Sequence, residues 1–499
     1  KLPRPSRSSL PASTLASHQN MFRYHPLFPC LLLPFLLLLP ALSQITELPS
    51  FYHTSDTILD EFRSMAEDAH NCEGATITLS TTSNSIVPLT VATFKYKGEE
   101  NEAEAVSPPA PATNRVMILF GEHARELISP ETALRMAYDL CGKNSETKEL
   151  AQKVLQNNVI TMIPIANPKG RHSVERGNYC QRVNENGVDL NRNWDSHWEG
   201  PENNDDKDTY PGTKPFSEPE TQALKKILDD LQPTLFITVH SGTLGMYTPY
   251  AFSTDLPTND PTDLHRMKDI LNELNPQYCR CPSGAAGLDV GYLCPGTCLD
   301  YAYEHHASIS FAFEIYASDM DAIHTKWDAD HASTLLEVQD QLSGGGGGGG
   351  GDGGEEEVEE AVVDTSSYSC FLQASTKAGH HQQHSMRSKT NEDCFATFNP
   401  SDEGVYKDTV AKWSEAFLKM CDMAAASALI RDLNRANPQG GGDSGNSPLS
   451  LLKTNLAQPA VRAVEHMLRM KESRRNSGGS GSSGSGSGSS GGGGVHLRG

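Results

Sequence analysis

Residues Arg115–Leu134, RVMILFGEHARELISPETAL, join an apolar run to a segment with helical spacing. The run RVMILF is typical of a buried strand, which we expect to end near Gly121. His123, Arg125 and Glu126 follow at once, before the helical pattern begins. A histidine, a cation and a carboxylate at the end of a buried strand predict a functional site at the rim of a sheet.

The composition indicates a globular protein that carries low-complexity sequence. Of the 499 residues, 37% are hydrophobic and 42 are glycine, so apolar residues are scarcer than in an ordinary globular chain. The net charge of -22 argues against a nucleic acid or an anionic membrane as the partner.

The N-terminal region has the pattern of a secretory leader. Met21 is the first methionine, and MFRYHPLFPCLLLPFLLLLPALSQ begins there, with Arg23 ahead of a leucine-rich run that ends in small residues. We interpret residues 1–43 as upstream sequence and a signal peptide cleaved after Ser43, and we expect residues 1–20 to lie outside the natural product. A signal anchor or a buried helix is the alternative, but the run is short and interrupted by prolines. The protein is then secreted, with no stable membrane span after cleavage.

Cysteine usage agrees with an oxidising compartment. Loss of Cys30 with the leader leaves ten of the 11 cysteines, an even number, so disulfides are expected. Four of the ten crowd one stretch, namely Cys279, Cys281, Cys294 and Cys298. Disulfides are the expectation there, and a second metal site is the alternative.

The rest of the chain divides into four segments. Segment 50–342 alternates apolar runs, such as NNVITMIPI, TLFITVH and ISFAFEIY, with helical segments such as TDLHRMKDILNELN, which predicts a layered α/β domain. Residues 343–390 are Gly-rich and acidic, so we interpret them as a disordered insert. Residues 391–424 predict the last helix of the domain, and residues 437–499 a flexible Gly/Ser-rich tail. The apolar face of that helix is Val405, Val410, Trp413, Phe417 and Met420.

Polar residues near the strand ends suggest a metal site. His123 and Glu126 are i and i+3, which puts them on one face of a helical turn, where they could hold one Zn²⁺. This spacing is common on solvated helices, so by itself it is weak evidence for a metal site. His240, at the end of TLFITVH, could be a third ligand, although a lone histidine there is more often structural.

Two further stretches add charged groups. QRVNENGVDLNRNWD concentrates Arg182, Asp189, Asn191 and Arg192, and Glu314 ends the third apolar run. A carboxylate inside such a run costs several kcal/mol unless it is paired. Glu314 is therefore either a buried salt-bridge partner or a functional group, and Arg192 is either a solvated loop charge or a ligand-binding group.

Taken together, these blocks resemble the zinc metallocarboxypeptidases of the carboxypeptidase A type, peptidase family M14. HARE, GVDLNRNW, PFSEPET, VHS and FAFE stand in the order of that family, and YHTSDTILDEF resembles the start of its mature domain. GYLCPGTCLDYAYEHH resembles the stretch before its catalytic strand. The resemblance covers about residues 50–320 and 394–422. It implies an α/β fold, a mixed, mostly parallel twisted sheet of about eight strands flanked by helices, with 50–342 as the catalytic domain.

The resemblance implies a zinc-dependent hydrolysis of C-terminal peptide bonds. One Zn²⁺ per chain would be bound by His123, Glu126 and His240. Glu314 would be the general base that takes a proton from a zinc-activated water and passes it to the leaving amine. Arg182 would stabilise the oxyanion, and Asp189 would orient His123 from behind.

The resemblance also implies how a substrate is held. Its terminal carboxylate would be bound by Asn191, Arg192 and Tyr292, with Arg125 assisting nearby, because an Arg fork matches a carboxylate in two parallel hydrogen bonds. Leu299 would form the floor of the specificity pocket, which offers no charge, so an apolar or neutral terminal residue is expected. The partners are then peptide or protein C-termini, and we expect a monomer.

Several features depart from the family pattern. Gly242 follows the His-Ser pair where the family often has an aromatic residue, and only about seven residues separate Ser43 from the domain start, so no long activation domain is expected there. Two alternatives stay open. One is a non-catalytic peptide-binding protein on the same fold, which would lack a ligand or the base. The other is a related zinc hydrolase of acyl-amino acids or cell-wall peptides, which would lack the complete Asn–Arg–Tyr set.

Overall fold

The structure, a computed structural model, describes residues 48–82, 85–98, 114–203, 206–257, 261–306, 309–343 and 390–436. Within these ranges the strands are β1 (Ala75–Thr81), β2 (Thr90–Tyr96), β3 (Asn114–Phe120), β4 (Asn158–Ile163), β5 (Leu235–His240), β6 (Leu244–Thr248), β7 (Ser283–Ala285) and β8 (Ile309–Ile315). The α-helices are α1 (Ser55–Glu67), α2 (Ile128–Leu140), α3 (Lys148–Asn157), α4 (Pro168–Glu175), α5 (Pro219–Leu231), α6 (Pro261–Leu274), α7 (Ala286–Asp289), α8 (Cys298–His306), α9 (Met320–Ser343), α10 (Asn391–Phe398) and α11 (Glu403–Ala436).

The strands form one mixed sheet, as the sequence predicts. Its order is β1-β2-β4-β3-β5-β8-β6-β7. The pairs β4–β3, β3–β5, β5–β8 and β6–β7 are parallel, whereas β1–β2, β2–β4 and β6–β8 are antiparallel. The predicted fold class, a mostly parallel sheet flanked by helices, is confirmed.

The central strands are buried on both faces because helices cover both sides. Along β3, Val116 and Ile118 belong to one apolar cluster, whereas Met117 and Leu119 belong to another. This alternation follows from the two-residue period of a strand, and it explains why the run RVMILF is apolar throughout.

Three adjacent parallel strands end at the same edge of the sheet. β3, β5 and β8 are neighbours, and His240 at the end of β5 is the direct partner of Glu314 on β8. β3 ends where predicted, because Gly121 adopts a φ of +65° and packs against the Pro130 ring. The residues that follow β3 therefore turn across the ends of the other two strands.

The segment after the insert returns to the domain. Four of the five residues predicted for its apolar face are buried, namely Val410, Trp413, Phe417 and Met420, and Trp413 donates to the Ile315 carbonyl at 2.8 Å. Val405 departs from the prediction and is 38% exposed, because it lies in the first turn of α11. The segment also holds two helices where one was predicted, with α10 ahead of α11.

The disulfides agree only partly with the expectation. The described cysteines form the pairs Cys72–Cys141, Cys180–Cys394 and Cys279–Cys281. Cys294 and Cys298, for which disulfides were expected, are buried free thiols, as is Cys421. Cys294 instead contacts Arg192, and Cys298 contacts Glu122, so each sulfur has a polar neighbour other than a cysteine.

Several predictions fall outside the described residues. These are the leader at 1–43, all of the insert at 343–390 except its ends, and the tail at 437–499. None of the helices in the described part of the chain has the length and apolar character that a membrane span needs.

Candidate active site

Three potential metal ligands meet at the ends of β3 and β5. His123 Nδ1 lies 2.7 Å from Glu126 Oε1, and His240 Nδ1 lies 3.1 Å from His123 Nδ1 and 3.2 Å from Glu126 Oε2. Their ligand atoms all lie within 4.8 Å of one another, and in the described ranges this is the one such cluster of metal-binding residue types. His123 and Glu126 sit in a turn before α2, which corrects the predicted helical turn; the backbone bond from Glu126 to His123 brings their side chains together.

The donor set fits a zinc ion. Two imidazole nitrogens and a carboxylate are the ligands of many catalytic zinc sites, and they leave further positions open. All three side chains are buried, so their polar atoms need a partner. Burial would raise the pKa of Glu126, but its contacts with His123 and His240 hold that pKa below its ordinary value. A carboxylate that stays ionised among imidazoles is what a divalent cation requires.

Asp189 lies behind this cluster and connects it to Arg182. Its Oδ1 is 3.2 Å from His123 Nε2, the ring nitrogen turned away from the cluster. Its Oδ2 accepts a 2.9 Å hydrogen bond from Arg182 Nε. Burial opposes ionisation, yet Arg182 and His123 hold the pKa of Asp189 well below its usual range. One buried carboxylate thus orients an imidazole and a guanidinium together.

Arg182 and Glu314 approach the cluster from two sides. Arg182 Nη1 lies 3.6 Å from Glu126 Oε1. Glu314 stands opposite His240 on β8, and its Oε2 has no hydrogen-bond partner in the described part of the protein. Burial and the nearby Glu126 raise the pKa of Glu314 to about 8, against smaller opposing effects of His240 and Arg182. A carboxyl group with one unpartnered oxygen therefore lies beside the metal-ligand cluster and close to the Arg182 cation.

A second cation, Arg192, lies in a short 3₁₀ turn at Leu190–Arg192. It is 8% exposed, and it donates from Nη1 to the Asn191 carbonyl at 2.7 Å and from Nη2 to Cys294 Sγ at 3.3 Å. The Asn191 side chain accepts from the Cys298 backbone at 3.0 Å and points its amide toward His240. Tyr292 is 53% exposed, as suits a residue at the mouth of a cleft.

Leu299 lies in a buried apolar cluster that includes Cys294, the sulfur contacted by Arg192. The cluster residues are Tyr247, Ala251, Ala286, Cys294 and Leu299, with Val290 and Ala312 packed against them. Asp300, which follows Leu299, accepts hydrogen bonds from the backbone of Ala251 and Phe252. Burial raises the pKa of Asp300 to about 7. Its carboxyl group is thus occupied by backbone, and the cluster around Leu299 stays apolar.

Arg125 does not point freely into the cleft. Its Nη1 donates to the Cys180 carbonyl and to Asp208, each at 3.1 Å, and its guanidinium lies 4.1 Å from the Phe398 ring centroid. Its Nε has no partner among the described residues. The guanidinium therefore joins two loops and the segment after the insert.

Sequence reasoning missed the contribution of that segment. Phe398 packs so closely on Gly242 that any side chain there would collide with its ring, and Gly242 has a φ of +125°. Asn399 accepts from the Ile128 backbone at 3.0 Å and donates to the Arg125 carbonyl at 2.8 Å. Because Leu127 makes no side-chain cap bond, Asn399 supplies the cap of α2 from far along the chain.

Sequence reasoning also passed over Glu122, which lies beside His123 in the opening stretch. It is 1% exposed and contacts Trp194, Cys298 and His240. The signal that marked Glu314, a carboxylate at the end of an apolar strand, was present here too.

Comparison with known proteins gives the family. The sequence model of the zinc carboxypeptidase family, Peptidase_M14, matches residues 70–326, just over half of the chain. Zinc carboxypeptidase A 1 of Drosophila melanogaster is 30% identical over 216 residues, which are 41% of this chain and 49% of that protein. Carboxypeptidase O of Homo sapiens is 27% identical over 207 residues, or 39% and 55% of the two chains. The chain thus spans about half the length of these curated relatives.

Solved structures give related matches. The crystal structure of carboxypeptidase A from Helicoverpa armigera covers 59% of this chain and 75% of its own, with 18% identity and a TM-score of 0.43. Because the family model covers more than half of its residues, this chain belongs to the zinc carboxypeptidase family.

Proposed function

We propose that this protein is a secreted zinc carboxypeptidase that hydrolyses the C-terminal peptide bond of peptides or proteins. One observation carries the proposal: the His123, Glu126 and His240 cluster adjoins Glu314 at the ends of neighbouring strands, and Oε2 of Glu314 has no hydrogen-bond partner among the described residues. The alternative of a non-catalytic binding protein is less favoured, because such a protein needs no carboxyl oxygen without a partner beside its metal ligands.

The chain's own residues would divide the chemistry between them. Zinc bound by the three ligands would supply Lewis acidity, which activates a water molecule and polarises the scissile carbonyl. Glu314 would accept a proton from that water at its carboxylate and deliver it to the leaving nitrogen. Arg182, held by Asp189, would stabilise the negative charge that develops on the carbonyl oxygen, a contribution whose loss typically costs about 10²–10³ in rate.

The terminal carboxylate would be held by Arg192 with Asn191 and Tyr292. Arg192 is buried and donates to a carbonyl and a thiol, and among the described residues its positive charge has no anionic partner within hydrogen-bond distance. A buried guanidinium without a carboxylate favours an anionic ligand. Arg125, whose Nη1 is paired with Asp208, would assist from nearby through its positive charge.

The side chain of the terminal residue would enter the pocket around Leu299. Its lining of Tyr247, Ala251, Ala286 and Leu299 is apolar, so we expect an apolar or neutral terminal residue to be preferred. The expected assay result is faster release of Phe or Leu than of Arg, Lys or Glu from a matched set of blocked dipeptides.

The test combines metal analysis with product analysis. The purified protein should contain one zinc per chain and release C-terminal amino acids, with loss of activity in a chelator and recovery on addition of zinc. His123→Ala should lose the zinc, whereas His172→Ala, a partly exposed histidine of α4 paired with Glu175, should keep it. Zinc without hydrolysis would favour the binding-protein alternative. Hydrolysis without a metal, or cleavage well inside a long peptide, would overturn the proposal.

A further inference from the structure

Glu122 is a buried carboxylate that the proposed mechanism does not use. Its Oε1 accepts a 3.1 Å hydrogen bond from Trp194 Nε1. Its Oε2 lies 3.4 Å from the Cys298 thiol and 3.7 Å from His240 Nε2. Among the described cationic side chains, His240 is its only ion-pair partner. A carboxylate this deeply buried is costly unless the charge it faces compensates it.

The geometry of His240 decides which of its nitrogens carries the proton. Nδ1 faces the other two ligands, so Nδ1 is the nitrogen that would bind a metal and Nε2 must then keep its hydrogen. Three polar atoms lie near Nε2: Thr238 Oγ1 at 2.8 Å, the Asn191 amide at 3.5 Å and Glu122 Oε2 at 3.7 Å. The Asn191 amide nitrogen cannot accept a hydrogen bond. Thr238 is therefore the acceptor within hydrogen-bond distance of Nε2, and Glu122 is the carboxylate that faces the same nitrogen at ion-pair distance.

A second route to Glu122 runs through Thr238 and Cys298. When Thr238 accepts from His240, its own hydroxyl hydrogen is free to point to the neighbouring Cys298 sulfur. The Cys298 thiol hydrogen then points to Glu122 Oε2. Trp194 can only donate, and it donates to the other oxygen of the same carboxylate. The chain of polar contacts from His240 through Thr238 and Cys298 thus ends on the Glu122 carboxyl group.

We infer that Glu122 is the positioning residue for His240, holding its ring with Nδ1 toward the metal both directly and through Thr238 and Cys298. Glu122 faces the Nε2 of His240 from behind, as Asp189 faces the Nε2 of His123. A carboxylate behind a ligating imidazole fixes the ring and increases its basicity, and loss of such a partner typically weakens metal binding about 10–100-fold. The inference rests on the proposed zinc site, but it assigns a role to a residue outside the ligand set.

The test measures zinc affinity of the full chain, metal-free at the start, by competition with a chelator of known affinity. Glu122→Gln keeps the size of the side chain and removes its charge, so zinc should bind at least about 10-fold more weakly. Glu220→Gln is the matched control, because Glu220 is a buried carboxylate of α5 that accepts from Asn184 and has no described hydrogen bond to any of the three ligands. Its zinc affinity should stay within about twofold of wild type.

A second measurement separates positioning from a merely structural role. In zinc-loaded wild-type protein the Nε2 hydrogen of His240 should be protected from exchange in NMR spectra of ¹⁵N-histidine-labelled protein, and in Glu122→Gln it should exchange faster. Lower thermal stability of the metal-free variant with unchanged zinc affinity and unchanged exchange would overturn the inference. If Glu122→Gln does not fold, Thr238→Val tests the same chain, and unchanged zinc affinity in that variant overturns it as well. Failure of wild-type protein to bind zinc would instead overturn the proposed function.

Discussion

The proposed specificity for free C-termini can be tested at Arg192 by removing one charge from either partner. The substrate change is amidation of the terminal carboxylate, and the enzyme change is Arg192→Ala. Because Nη1 and Nη2 of Arg192 each carry two hydrogens and each uses one within the protein, one hydrogen on each remains for the substrate. These two hydrogens can form a bidentate pair with a carboxylate but not with an amide.

The magnitude follows from that geometry. A hydrogen bond to a charged partner contributes about 1.5–3 kcal/mol, and the amide retains one weaker bond in place of two. The existing bonds to the Asn191 carbonyl and the Cys294 thiol keep Arg192 from being wholly unpaired, so we take the net loss at about 3 kcal/mol. At 1.4 kcal/mol for each factor of ten, amidation should lower kcat/KM by about 100-fold or more.

The assay compares kcat/KM for a free-acid and an amidated peptide of the same sequence in three enzymes. Wild type and the surface control Arg280→Ala, whose side chain pairs with Asp328, should both show the full ratio. Arg192→Ala should lose most activity on the free acid and little on the amide, so that the two rates fall within about fivefold. Similar rates for acid and amide in wild type would refute the carboxylate clamp.

Three other outcomes are expected. Glu314→Gln should keep its zinc yet lower kcat at least about 100-fold, because it removes a proton acceptor and no ligand; parallel zinc analysis and kinetics check this. Contact with Glu131 raises the pKa of His53 above 6.5, so this ion pair stabilises the fold below pH 6.5 and is lost as pH rises through the folded-state pKa. In urea unfolding, the stability difference between wild type and His53→Gln should be full below pH 6.5 and should shrink as the pH rises through the folded-state pKa of His53. Replacing Cys180 and Cys394 by Ser should cost about 2–5 kcal/mol of unfolding free energy, since the bridge closes a separation of 214 residues; an unchanged urea midpoint would contradict it.

The sheet and the meeting of the strand-end residues could be predicted from local patterns. Apolar runs of strand length with helices between them define parallel strands, and such strands place their carboxyl ends together. That argument brings His240 and Glu314 to one edge, and the structure has them as direct partners. The assignment of the zinc carboxypeptidase family is confirmed by the family match. The roles given to the individual site residues stay predictions.

What escaped prediction depends on contacts between distant parts of the chain. Phe398 fills the space beside Gly242, but the two residues are separated by the insert, and no local pattern joins them. The thiols of Cys294 and Cys298 stay free because their neighbours are Arg192 and Glu122, which only the folded chain brings near. Arg125 is held by Asp208 and Phe398, which also come near it only in the folded chain. Sequence spacing alone cannot show which distant side chain packs against a given residue in the folded protein.

The contacts of Phe398 and Asn399 determine at which point of synthesis the candidate active site can be completed. The residues from His123 to Glu314 emerge from the ribosome before the insert, whereas the ring under Arg125 and the cap of α2 emerge after it. A nascent chain that ends before residue 390 therefore has its ligands but lacks one wall of the cleft and the cysteine partner of Cys180. The cleft is thus complete only once nearly the whole domain has been made, so folding of the candidate site has to wait for residues that lie on the far side of the insert.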